Sequence, residues 1–139
     1  MEISDVRKRL QSTIERAKRR AADRRARNDA AAGAFETFLE VRAVPLFRQV
    51  ANALRAEGYH FTVFTPSGSV RLMSDRHGED YVELLFDGAG EPPQVVGHSS
   101  RSRGRNVTES EQPLGEPAAI TEEQLLSFLL KELEPLVER

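Results

Sequence analysis

The chain has 139 residues, with 20 Lys and Arg against 22 Asp and Glu, a net charge of −2, and no cysteine. A chain of that length supports one domain that buries roughly two thirds of its unfolded surface. The missing cysteines exclude a disulfide framework and thiolate chemistry and point to a cytoplasmic setting.

No apolar run approaches the roughly 20 residues of a membrane span. The opening residues have no apolar signal core, and Glu2, Asp5 and Asp23 are too acidic for a transit peptide. Charge is unevenly placed: residues 1–27 hold ten basic and four acidic side chains, net +6, and the remaining residues hold ten basic and eighteen acidic, net −8. Half of the positive charge therefore lies in "RKRLQSTIERAKRRAADRRAR", Arg7–Arg27. Arg outnumbers Lys seventeen to three. Genome base composition alone produces such a bias, so Arg richness does not by itself specify phosphate binding.

The first segment reads as a helix capped by Ser4 or Asp5. Ile3, Val6, Leu10, Ile14, Ala17 and Ala21 recur at helical spacing as one apolar stripe, which Arg24 interrupts. The opposite side carries Lys8, Arg9, Arg16, Arg19, Arg20 and Arg27. Residues 1–34 are read as a basic amphipathic arm and residues 35–139 as the α+β domain. A helix from Ser4 to Ala32 runs about 43 Å, against a diameter of roughly 37 Å for a compact domain of this length. An unbroken helix would project, and its seam of Val6, Leu10, Ile14, Ala17 and Ala21 would need cover from a second copy or a protein partner. The alternative is a break at Gly33 that folds the helix back; the sequence leaves both open.

Phe35, Phe38 and Leu39 resume a bulky apolar face. Pro45 marks a boundary and can open a second helix, with Leu46, Phe47, Val50, Ala51 and Leu54 on one side and Gly58 as its stop. β structure follows. "YHFTVFT", "SVRLM" and "DYVELLF" are strands separated by the turns "PSG" and "SDRHGE", and "QVVGHSS" is a candidate fourth strand. "RSRGRN", Arg101–Asn106, reads either as the tip of a further hairpin or as an unstructured loop. Residues 109–120 read as linker. Thr121 and Gln124 then form a capping box, opening a C-terminal helix whose leucines cover about 200° of the wheel, wider than the ~100° of an ordinary surface helix. Such a helix touches both a sheet and a second helix. Pro135 should bend or end it.

The residues offer three chemistries. The arm's basic face, with Arg101, Arg103 and Arg105 as a second contact, can neutralise nucleic-acid phosphates. Neither a base-reading motif nor interleaved aromatic residues accompany it, and a solvated face whose charges meet the acidic residues of 109–139 is the simpler explanation. The arm lacks the Trp, Phe and repeated Leu that sink a helix into lipid. The turn region gathers Asp75, His77, Glu79, Asp80 and Glu83, types that can hold a metal or do acid–base work. Their spacing fits no metal pattern, and Leu85 stands where a restriction-type nuclease needs Lys. His60 reads as a sheet-surface histidine, and His98, beside Gly97, has no evident partner. No phosphate-cradling glycine motif or nucleophile elbow is present.

The sequence thus predicts an α+β protein: a long N-terminal helix and a second helix, an antiparallel meander of three to five strands, and a C-terminal helix packed on the sheet in two layers. The expected function is a non-enzymatic adaptor or regulator that self-associates or docks a protein partner through its first helix. A nucleic-acid-binding regulator is the alternative, and a metal-dependent hydrolase at residues 75–83 a distant one. No cofactor, metal or small-molecule substrate is expected.

Overall fold

The computed structural model describes residues 1–138 and has the expected α+β architecture. Helix α1 spans Ile3–Phe38, about 54 Å at 1.5 Å per residue. It starts one residue before the expected cap. Glu2 holds the cap position without a side-chain hydrogen bond, and Asp5 sits in the first turn, where its charge suits the helix dipole. Gly33 does not break α1. A Cβ there would meet nothing within 4 Å, and one glycine costs a helix only about 1 kcal/mol relative to alanine, less than the packing of Phe35 and Phe38 returns at either side of the next turn.

A π-helical turn, Leu39–Ala43, joins α1 to α2, Val44–Ala56. Right-handed helical angles persist through both joints, at Leu39 (φ −60°, ψ −50°) and Val44 (φ −61°, ψ −47°). Pro45 is therefore no gap in the helix. It lacks an N–H, and the wider turn, in which Val44 N–H donates to Leu39 O, accommodates its ring and missing donor. Helix α2 ends as the sequence indicates, with Gly58 at φ +91°. Tyr59 N–H returns to Leu54 O and Gly58 N–H to Arg55 O, a Schellman closure.

Five antiparallel strands follow in sequential order: β1 Phe61–Phe64, β2 Val70–Ser74, β3 Tyr81–Asp87, β4 Gln94–Arg103 and β5 Asn106–Gly115. Arg101–Asn106 is the tip of the β4–β5 hairpin. Residues 109–115, read above as linker, are the second half of β5. The strand was hidden because it buries no alternating apolar row; it is an edge, kept polar by Glu109 and Glu111 and by Pro113. Leu114 is the unpaired residue of a bulge opposite Val95 and Val96. A 3-10 turn, Pro117–Ala119, leads into α3, Glu122–Val137. Thr121 and Gln124 form the expected reciprocal capping box. Pro135 lies in the last turn, and the helix stops two residues later.

Strand alternation places Phe61, Val63, Val70, Leu72, Val82, Leu84, Phe86, Val95 and Gly97 on one face. Helix α2 covers the β1–β2 side of this face and α3 the β3–β4 side. Phe47, Leu125 and Leu129 are fully buried between the layers. Gly97 lies directly beneath Phe128; a Cβ there would stand 2.3 Å from the ring's Cζ. The C-terminal end of α1 joins the core through Phe35, whose ring stacks on Phe86 at 5.2 Å.

Candidate interaction surface

The arm is anchored at its C-terminal end only. Phe35 and Phe38 are buried, each contributing about 1.5–3 kcal/mol. Further out, the Asn28 amide donates to Gly88 O at 2.7 Å, and Ala21 is half-buried. Around them, Arg24, Arg25 and Arg27 face the β3–β4 loop across an open cleft of about 530 Å³. Residues 1–20 are all exposed. They stay helical because they extend a helix already nucleated by the packed turn at Phe35–Phe38, and Ala, Arg, Lys and Glu add to a formed helix readily.

The seam expected from the sequence is accordingly open. Val6 is 48% exposed, Leu10 56% and Ile14 43%; Ile3 adds 79%, Ala17 is exposed and Ala21 half-buried. Lys8, Arg9, Arg16, Arg19, Arg20 and Arg27 are all exposed. Among the described residues no arm cation makes an ion pair. Arg16 turns back on its own helix, donating to Ser12 O at 3.4 Å and Thr13 Oγ1 at 3.5 Å. Arg101, Arg103 and Arg105 are exposed at the β4–β5 tip, and Arg103 reaches Pro135 O at 3.5 Å. That tip lies a strand length, roughly 30 Å, from the β3–β4 loop that the arm touches, so the two basic sets do not merge.

A second surface lies on the helical layer. Leu46, Val50, Leu54, Leu126, Leu130 and Val137 line an open apolar groove of about 590 Å³ between α2 and α3, with Glu57 and Glu134 at its rim. Leu130 is 57% exposed. The wide apolar arc of α3 thus faces the sheet on one side and this groove on the other.

The uncovered sheet face carries a polar network that sequence reasoning missed. Arg71 donates from Nε and Nη2 to Glu83 Oε2 at 3.0 and 2.8 Å. His98 Nδ1 meets Glu83 Oε1 at 2.8 Å; a carboxylate only accepts, so Nδ1 carries the proton. His98 Nε2 lies 3.5 Å from Glu109 Oε1. The Arg71 guanidinium stacks 4.1 Å over the Tyr81 ring, and the Tyr81 and His98 rings meet edge to face. Burial, then the Glu83 carboxylate, raises the Tyr81 phenol above its ordinary value of 10.0, against the pull of Arg71. His98 therefore does have a partner. Glu83 stands opposite both Arg71 and His98 in the ladders, a pairing that only strand register creates.

The acidic turn does not converge. Asp75 accepts from Thr62 Oγ1, Asp80 from the Ser102 N–H and hydroxyl at 2.7 and 3.2 Å, and Glu83 belongs to the network on the sheet, while His77 and Glu79 face solvent. Among the described residues no group of three or more His, Asp or Glu side chains is arranged to hold a metal ion, and no helix is long and apolar enough to cross a membrane. His60 precedes β1 and is exposed.

Fold and surface together define a two-layer α+β protein with a projecting helical arm. No family model, curated protein or solved structure matches the chain.

Proposed function

We propose that this chain is a non-enzymatic interaction module, an adaptor or regulator, that self-associates through its N-terminal helix in a cytoplasmic setting. One observation carries the reading: Ile3, Val6, Leu10 and Ile14 form a continuous seam, 43–79% exposed, on a stretch of helix whose residues 1–20 are all exposed. An amphipathic helix gains stability chiefly from burying such a face. Sedimentation or light scattering on the full chain and on a chain lacking residues 1–20 tests it. The full chain should associate and the shortened one should be monomeric; two monomers would end the proposal.

The unpaired cations of the arm favour a second reading, a nucleic-acid-binding regulator. Phosphate contacts release counterions, so such binding must weaken steeply with salt. Labelled DNA and RNA titrated at two salt concentrations check this. Binding should fall on charge reversal at Arg16, Arg19 and Arg20; binding that ignores the reversal removes this reading.

A further inference from the structure

The α2–α3 groove and the arm seam are two apolar surfaces that the described residues leave open, and they match in length and period. Along α2 the groove runs from Leu46 to Glu57, and along α3 from Leu126 to Val137. Each is eleven helical steps, about 16.5 Å. The seam from Ile3 to Ile14 is also eleven steps, with anchors at i, i+3, i+7 and i+11, the spacing by which an amphipathic helix seats in an apolar groove. At 100° per residue Arg7 lies about 55° from the seam's centre and Glu2 about 85° from it on the other side, and Lys18 and Arg20 continue the flanks within about 85° just past Ile14. On α3, Glu122, Glu123 and Glu134 flank the groove-facing side by the same reckoning, and Glu57 closes the α2 side. Lys131 on α3, and Arg48 and Arg55 on α2, point away from it. Among the described residues neither the arm cations nor Glu57, Glu122, Glu123 and Glu134 have an ion-pair partner within the chain. The seam is exposed, so the chain does not fill its own groove.

We infer that the arm of one copy seats its Ile3–Ile14 seam in the α2–α3 groove of a second copy, with the arm's cations against the groove's glutamates. This rests on self-association through the arm and names the surface that receives it. Arm-to-arm pairing is the competing arrangement; there the flanking cations of two arms would repel, whereas the groove offers them the opposite sign.

Leu10 and Leu130 are both more than half exposed, so Leu10→Asp and Leu130→Asp leave each copy's own fold intact. In light scattering on full chains, each substitution should weaken association by about 30-fold or more, the loss expected at an interface anchor. Mixing the two variants should restore association, because one supplies a sound arm and the other a sound groove. The chain has no cysteine, so Leu10→Cys and Leu130→Cys report contacts without background. A disulfide between the thiols introduced at positions 10 and 130 in the mixture, identified by mass spectrometry, supports the inference. If Leu10→Asp abolishes association but Leu130→Asp does not, and thiols introduced at position 10 cross-link to each other, the groove assignment is overturned while arm-mediated association stands. If the unmodified chain is monomeric at every concentration at which it stays in solution, or if Leu10→Asp changes nothing, both fail together.

Discussion

At Gly97 the sheet and α3 come closer than any other residue allows. The ring of Phe128 occupies the space a Cβ would need, and interiors packed at crystal density yield little. Gly97→Ala should lower unfolding free energy by about 1–3 kcal/mol, the usual cost of overpacking. Denaturant melts of Gly97→Ala with and without Phe128→Leu check the cause, since withdrawing the ring edge should shrink the loss. Tyr81 makes a different prediction. Its phenol holds its proton more tightly in the folded chain than in the unfolded one. Below pH 10 both states keep that proton and stability is level in this respect. As pH rises through 10 the unfolded phenol ionises first, so the Tyr81 contribution is lost as pH passes through the raised folded value. Tyr59→Phe leaves Tyr81 as the one phenol; its absorbance should titrate above pH 10, and adding Tyr81→Phe should flatten the alkaline fall in stability. None of this is visible in the sequence as a string. Gly97 reads as an ordinary strand glycine, and Glu83 and His98 are fifteen residues apart, brought opposite only by the length of the β3–β4 turn.

Elements whose causes are local were legible. The Thr121–Gln124 box lies within one turn, and both its hydrogen bonds form, Gln124 N–H to Thr121 Oγ1 at 3.1 Å and Thr121 N–H to Gln124 Oε1 at 2.9 Å. Thr121→Ala should cost about 1 kcal/mol, read as a lower thermal midpoint, with Thr121→Ser restoring most of it. Elements whose causes are distant were not legible. Pro45 opens α2 as its local chemistry indicates, but the π turn that carries the helix from α1 into it, held by Leu39 and Ala43 in the core, was not legible. The strand β5 shows no apolar alternation over Asn106–Gln112, since it is an edge strand paired with β4 alone and exposed over Asn106–Glu111; its pairing supplies what its side chains do not.

On the scale of the whole molecule, the free part of the arm and the folded body are energetically separable. Residues 1–20 are all exposed, whereas Asn28, Phe35 and Phe38 are tied to the body. Deleting residues 1–20 should leave amide-exchange protection in β2, β3 and α3 unchanged, measured at dilution that keeps the full chain monomeric. A deletion reaching Phe38 should reduce that protection, because it strips the aromatic cover from Phe86. A uniform loss of protection after the shorter deletion would show that the arm stabilises the body within one copy.

The amino-acid sequence alone determined that the first helix is amphipathic and basic, that α3 has a defined start and an unusually broad apolar arc, and that an antiparallel meander lies between them. These follow from periodicity and capping, which act over a few residues. Only the tertiary structure decided that α1 continues past Gly33, that the seam from Ile3 to Ile14 stays uncovered, and that α2 and α3 leave a groove between them. Those depend on which faces meet, and faces meet through contacts between residues far apart in the chain, whose geometry no local pattern specifies.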